Sequence, residues 1–293
     1  MTIVIAIANE KGGVGKSTTA VNLAAGLSLK LRHQQESPKR VLLIDLDPQM
    51  NALMAIAYGQ HTADAAESLA ALLVEDVPPS PQRLLRHARH HPNLDFLPGD
   101  NRAQKEAAHR IRLLPGSDLR LANALEPIRD DYAYIIIDTP PHSGVLLTNA
   151  IMAATHVLIP IEMSYQGASG LGALHTTIMQ TLKAYRRADL DIVGYLPTMY
   201  EEAAKDARDV YAGLTERYGD KVLAPVHRAR AIQQANGAHL DVFLFRPPRT
   251  WDDGLESSTR ATQEYAALVD EVIRRTNRVR GATGGKGEVA HER

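Results

Sequence analysis

Asn9-Glu10-Lys11-Gly12-Gly13-Val14-Gly15-Lys16-Ser17-Thr18 is the stretch that decides the fold. It follows the apolar run Thr2–Ala8 and opens an amphipathic segment, Lys16–Leu31, so it reads as strand, glycine loop and helix. Glycines let a backbone turn tightly and aim several N–H groups at phosphate oxygens. The positive end of the following helix adds to that attraction. In such a loop Lys16 reaches the outer phosphates of a nucleotide and Ser17 ligates Mg²⁺. A glycine turn that merely happens to hold a lysine does not account for Gly15-Lys16-Ser17-Thr18 in this setting.

Outward from the loop, apolar β-branched runs alternate with helix-length amphipathic segments. Candidate strands are Thr2–Ala8, Arg40–Asp45, Leu94–Leu97, Ala133–Asp138, His156–Ile161, Ile192–Thr198 and Lys221–Val226. Candidate helices include Lys16–Leu31, Gly116–Arg129, Gln166–Arg187 and Ala203–Tyr218. Several strands are apolar throughout, as parallel strands covered on both faces are. The alternation predicts an α/β fold: one mostly parallel, twisted, doubly wound sheet with helices on both faces. No linker divides the chain, so a single domain is expected over residues 1–280. Gly281–Arg293 is Gly-rich and polar and reads as a disordered tail. Arg32–Lys39 is a polar excursion between the first helix and the second strand.

Composition removes several function classes. The chain has 293 residues and no cysteine, which excludes disulfides, thiolate zinc sites and cysteine-held iron–sulfur clusters. No apolar run approaches the ~20 residues that span a bilayer. The start, Met1-Thr2-Ile3-Val4-Ile5-Ala6, lacks the basic region of a secretory signal, so a cytoplasmic location is expected. The formal net charge is −1, so a nucleic-acid partner requires a local basic patch. His87, His90 and His91 form no recognised metal spacing and read as surface residues.

Two further segments end in acids. Val41-Leu42-Leu43-Ile44-Asp45-Leu46-Asp47-Pro48-Gln49 is a strand closing on two aspartates and a proline. Tyr134-Ile135-Ile136-Ile137-Asp138-Thr139-Pro140-Pro141 has the form of a Walker B strand, whose terminal Asp138 would hold Mg²⁺ directly or through water. Acids at the C-terminal ends of parallel strands point into the crevice where α/β proteins bind ligands.

Where the general P-loop pattern wants its first glycine, this chain has Glu10, followed by Lys11. The run KGGVGKST resembles the deviant Walker A family, which includes ParA and Soj, MinD, the nitrogenase iron protein and dethiobiotin synthetase. The DLDPQ and DTPP segments, and His156–Leu174 after them, resemble those of ParA proteins. The resemblance runs from Ile3 to about Val279. It implies an Mg-ATP-dependent ATPase, slow until stimulated, that closes a nucleotide-sandwich homodimer. In that dimer Lys11 reaches the partner's phosphates, Lys16 and the loop Gly12, Gly13, Val14, Gly15, Ser17 and Thr18 hold the nucleotide, and Asp47 positions the attacking water. Asp45 would support the magnesium shell, although the residues alone leave the roles of Asp45 and Asp47 exchangeable. Gly144 would start a γ-phosphate-sensing loop, and Thr198, Met199, Pro225 and His227, within Pro225–Arg228, would line the adenine pocket.

The same resemblance implies nonspecific DNA binding by surface arginines, with candidates Arg228, Arg230, Arg246 and Arg249, and Arg274, Arg275, Arg278 and Arg280 near the end. A ParB-like partner would stimulate hydrolysis, and the protein would be nucleoid-associated, moving a chromosome origin or a plasmid. ParA-type positioning of another cargo, such as a carboxysome or chemoreceptor cluster, shares every motif. A membrane-bound switch like MinD would use a terminal amphipathic helix, but Ala261–Arg278 lacks Phe and Trp and reads as a helix packed on the sheet, so no membrane partner is expected. A metabolic ligase or kinase on this fold would need a substrate site for which the sequence has no signature. Because the loop lies almost at residue 1, no N-terminal operator-binding domain is expected.

Overall fold

Seven strands lie in the order β3-β4-β2-β5-β1-β6-β7. They are β1 (Ile3–Ile7), β2 (Arg40–Asp45), β3 (Arg86–His87), β4 (Leu94–Phe96), β5 (Tyr132–Asp138), β6 (His156–Glu162) and β7 (Asp191–Thr198). This computed structural model describes residues 2–32, 39–57, 62–247 and 254–283, with side chains from 258 to 277 in the last helix. All pairings are parallel except β3 with β4. The molecule is a single α/β domain with helices around the sheet.

The helices are α1 (Lys16–Arg32), α2 (Asn51–Ala57), α3 (Leu69–Val74), α4 (Pro81–Leu84), α5 (Asn101–Arg110) and α6 (Arg120–Leu125). After β5 come α7 (Val145–Ala153), α8 (Tyr165–Ser169), α9 (Leu171–Ala184), α10 (Lys205–Tyr218), α11 (Arg230–Gly237) and α12 (Gly254–Thr283). The period-2 geometry of β1 splits its side chains between two cores. Ile3, Ile5 and Ile7 join α1 and α12 on one face, while Val4 and Ala6 join α7 and α9 on the other. In α12, Tyr265, Leu268, Val269 and Val272 are buried in that first core. The apolar face of this helix is therefore covered by the domain itself, as expected.

Register sets the site. Asp138 lies level with Ile7 of β1 on one side and with Asp45 of β2 on the other. The glycine loop and the two acidic segments, far apart in sequence, thus emerge together at the C-terminal edge of the sheet.

Several expectations change in the structure. Lys221–Val226 is not a strand: its backbone meets β7 in one isolated parallel bridge, Tyr195 with Val222, with Leu223 N–H to Tyr195 O and Val226 N–H to Pro197 O, while Lys221 Nζ donates to Asp191 Oδ1 and Ile192 O. Pro197 and Pro225 have no N–H, so a continuous ladder cannot form there. The expected helix Gly116–Arg129 is broken into 3₁₀ turns around α6, the second containing Pro127. The expected helix Gln166–Arg187 divides at Gly170 into α8 and α9. At the far end α12 continues to Thr283, into the segment expected to be a tail. Residues 284–293, like 33–38 of the polar excursion, lie outside the described residues.

Candidate functional site

The loop between β1 and α1 makes its turn through Gly13 and Gly15, whose φ angles are +78° and +86°. L-residues with a Cβ are strained there, which is why glycine is needed at these two positions. Asn9 fixes the loop's entry: its amide donates to Pro160 O at 2.7 Å and its side-chain oxygen accepts from Lys11 N–H at 3.0 Å. Thr198, at the end of β7, donates to Val14 O at 2.9 Å. Glu10, in the place of the usual first glycine, accepts from the Thr177 hydroxyl of α9 at 2.6 Å.

Lys16 folds back over the loop and donates to Lys11 O at 2.8 Å. Burial lowers its pKa, and the negative charges of Asp138 and Asp47 oppose that shift. Phosphate oxygens in the loop would add to those acids and favour the ammonium form.

The three aspartates differ in what they touch. Asp45 is fully buried, and both its oxygens accept backbone amides: Asp47 N–H at 3.0 Å on one, Ala52 and Leu53 N–H at 3.0 and 3.2 Å on the other. It therefore anchors the turn after β2 and the start of α2, where the helix dipole favours a carboxylate. Burial nevertheless raises its pKa well above the ordinary carboxylate value, with Asp138 adding to the rise. Asp47 stands beyond it, lines the crevice and orders the turn by accepting Gln49 N–H at 2.9 Å. The two acids differ in placement: Asp47 faces the crevice, and Asp45 holds the segment that carries it.

Asp138 is fully buried, and burial pushes its carboxyl up to about 7, against the opposing pull of Ser17 and Lys16. One oxygen accepts Thr139 N–H at 3.0 Å. The other, Oδ2, is buried with no hydrogen-bond partner among the described residues. An orphaned carboxylate oxygen is costly unless a cation or donor meets it. Beside Ser17 and Lys16, this donor set of carboxylate and hydroxyl oxygens fits Mg²⁺, a hard cation that takes oxygen ligands and keeps several waters.

The crevice has a volume of about 490 Å³ and is lined by Gly12, Gly13, Gly15, Lys16, Ser17, Thr18, Asp47, Pro141 and Met199, among others. A side pocket of about 130 Å³ shares Gly15, Thr18, Met199 and Asn236 with it and adds Thr198, Val226, His227, Ile232, Gln233 and Tyr265. Thr198, Met199 and His227, expected to line an adenine pocket, line this side pocket, whereas Pro225 does not and Val226 does. Val226 falls within the expected Pro225–Arg228, whereas Ile232, Gln233, Asn236 and Tyr265 were not expected from sequence. Asn236 is tied to the loop by donating to the Thr18 hydroxyl at 3.0 Å. His227 is held from α12: Glu264 accepts its backbone N–H at 2.9 Å and meets Nδ1 at 2.6 Å.

Lys11 stands apart from this crevice. Its ammonium sits 3.4 Å from Glu162 at the end of β6, and its side chain remains 27% exposed. Gly144, expected to open a sensing loop, closes one instead, because α7 begins at Val145.

Among the described residues, the candidate DNA-binding arginines have different partners. Arg228 pairs with Glu201 and approaches Glu162 at 4.0 Å. Arg230 is exposed at the start of α11, and Arg246 is exposed in the loop before α12 while donating to Phe243 O and Phe245 O. Arg249 lies outside the described residues, as do the side chains of Arg278 and Arg280. Arg274 and Arg275 both pair with Glu271, and Arg275 also donates to Val193 O and Asp220 O, so it fastens α12 to the sheet. Of the three histidines expected at the surface, His87 and His90 are exposed. His91 is buried, 1% exposed, with Nε2 at 2.8 Å from Asp241.

Residues 2–192 match the family model described as an AAA domain. The chain is 36% identical over 271 residues to the sporulation initiation inhibitor protein Soj of Bacillus subtilis, covering 92% of this chain and 97% of that one. It is 31% identical over 278 residues to the chromosome partitioning protein ParA of Caulobacter vibrioides, covering 93% and 94%. Among solved structures, cobyrinic acid a,c-diamide synthase of Mycobacterium smegmatis, with bound ADP and magnesium, superposes with a TM-score of 0.73 at 28% identity over 94% of this chain and 96% of that chain.

Proposed function

This chain belongs to the ParA/Soj-type partition ATPases of the deviant Walker A P-loop family, and we propose that it is a nucleotide-gated DNA-partition switch. ATP with Mg²⁺ closes a sandwich homodimer, the dimer binds DNA without sequence preference, and a ParB-like partner stimulates slow hydrolysis and release. Its place in the cell is then on the nucleoid, and its cargo a chromosome origin or a plasmid.

The observation that carries this reading is the division between the two lysines. Lys16 is buried over the loop of its own subunit, while Lys11 extends outside the crevice, its ammonium paired among the described residues with the partly exposed Glu162. A partly exposed ion pair at 3.4 Å is worth on the order of 1 kcal/mol, so Lys11 is readily released to a second phosphate site. A second subunit facing the crevice would offer such a site.

The residues then act by position and charge. The N–H groups of Gly12–Thr18 cradle the phosphates, Lys16 neutralises the outer ones, and Asp47 orients the attacking water. Ser17 and Asp138 would hold Mg²⁺, which when bound supplies charge neutralisation at the phosphate oxygens. Thr198, Met199, Val226 and His227 would receive the adenine. Because Lys11 arrives only in the dimer, turnover is tied to dimer formation.

Binding of random-sequence duplex DNA, measured with ADP, with ATP, and with ATP for Lys11→Ala, tests the reading. The expected result is ATP-dependent binding that weakens steeply with salt and is lost in the variant. Absence of binding in every nucleotide state would remove DNA from the account and bring liposome binding forward.

A further inference from the structure

The segment Arg83–His91 reads RLLRHARHH, with three arginines, three histidines and no acid. Its first two residues close α4, and the rest forms the edge strand β3 and the turn into β4. Arg89 and His90 are exposed at the tip of that turn, between Ala88 and His91, which are both buried. Nothing in the nucleotide site uses these residues.

The buried ends of the turn explain its placement. His91 Nε2 meets Asp241 Oδ2 at 2.8 Å across 150 residues of chain, with both side chains 1% exposed. Asp241 also organises the loop after α11: its Oδ1 accepts Phe243 N–H at 2.9 Å, and its carbonyl accepts Phe245 N–H at 3.0 Å. Arg246 follows directly on this turn and is exposed. Ala88 and Val242 lie in the same core cluster. The β3–β4 turn and the Arg246 loop are thus pinned together, although neither lies near the other in sequence.

We propose that Arg89, His90 and Arg246 form one face that takes the phosphate backbone of duplex DNA, with the buried His91–Asp241 pair as the positioning pin. Arg89 is two residues from His91, at most about 7 Å of chain, and the Phe245 N–H bond to Asp241 O folds the Arg246 loop back on the same pin. Duplex DNA carries one charge per ~1.7 Å of axis, so an extended phosphate backbone can meet both arginines. Among the described residues, the two acids that meet this turn directly are set back: Asp241 is buried against His91, and Asp95 is buried against Arg40 and His87. Asp130 and Asp131 precede β5, three strands inward, or about 14 Å. The face holds no base-reading geometry, and the binding it gives is independent of sequence.

This inference rests on the DNA-binding reading above and assigns that binding a place. The test is fluorescence anisotropy of a labelled random-sequence duplex with the full chain and ATP, titrated with salt. Parent, Arg89→Ala, Arg246→Ala and Arg89→Glu are compared. Each alanine variant is expected to weaken binding about 3–10-fold at moderate salt and to reduce the slope of log K against log salt by about 0.9. Arg89→Glu should weaken it further, while ATP turnover without DNA stays at the parent value for both Arg89 variants. Parent-like affinity and slope in Arg89→Ala and Arg89→Glu, with the parent binding DNA, overturn this face and leave DNA binding to other arginines. No binding by the parent in any nucleotide state overturns both readings.

Discussion

Asp138 shows how a single buried residue ties stability to function. Its carboxyl is raised from 3.8 to about 7, so the ligand-free folded chain holds that proton more tightly than the unfolded chain does. For a carboxyl raised in this way, stability is greatest below about pH 3.8, falls as pH rises toward 7, and levels off above it. Asp138→Asn removes that slope. Without ligand, the variant should be more stable than the parent at pH 8, by roughly 1–4 kcal/mol, and the gap should close near pH 4. Chemical denaturation at the two pH values measures this, and a gap that does not change with pH contradicts the assignment. At this scale the sequence was most legible where chemistry is local: Gly13, Gly15, Lys16, Ser17, Asp47 and Asp138 all converge on the crevice. It was least legible where the partner is remote. Nothing around His91 announces Asp241, 150 residues on, so a buried histidine read as a surface one.

At the scale of elements, strands with unbroken β-branched runs were found nearly to the residue, because such runs suit only a sheet buried on both faces. The failures have physical causes. Lys221–Val226 has the composition of a strand, but the prolines at 197 and 225 deny it a ladder. The side pocket drew on α11 and α12, whose contributions of Ile232, Gln233, Asn236 and Tyr265 carry no motif and come from packing against α1 and the loop. The contact between the β3–β4 turn and the loop before α12 makes its own prediction. Asp241→Ala would leave His91 buried without its acceptor and release Phe243 and Leu244 N–H as well. The expected loss is about 3–5 kcal/mol of unfolding free energy. Urea denaturation reads it, and a change within about 0.5 kcal/mol would mean that the pair does not hold the two elements together.

For the whole molecule, the sheet brings loop, acids and side pocket to one edge and leaves Lys11 outside, beside Glu162. A single subunit therefore has one lysine over its own loop and another with only a weak partner. The α/β class and the parallel sheet followed from the alternation of strands and helices, whereas the arrangement of two subunits follows from no feature of one chain's pattern and rests on Lys11. Should Lys11 serve the partner's nucleotide, dimerisation and nucleotide state are one equilibrium, and hydrolysis is what ends the dimer. Asp47→Ala, which lacks the acid facing the crevice, would then hold the ATP state if that acid positions the attacking water as proposed.

Sedimentation velocity of Asp47→Ala with ATP and Mg²⁺, with and without a second change of Lys11→Ala, tests that claim most directly. The account predicts a species of about twice the 32.0 kDa chain for the single variant and a monomer for the double variant. A monomer with ATP in Asp47→Ala, or a dimer that survives loss of Lys11, would contradict it.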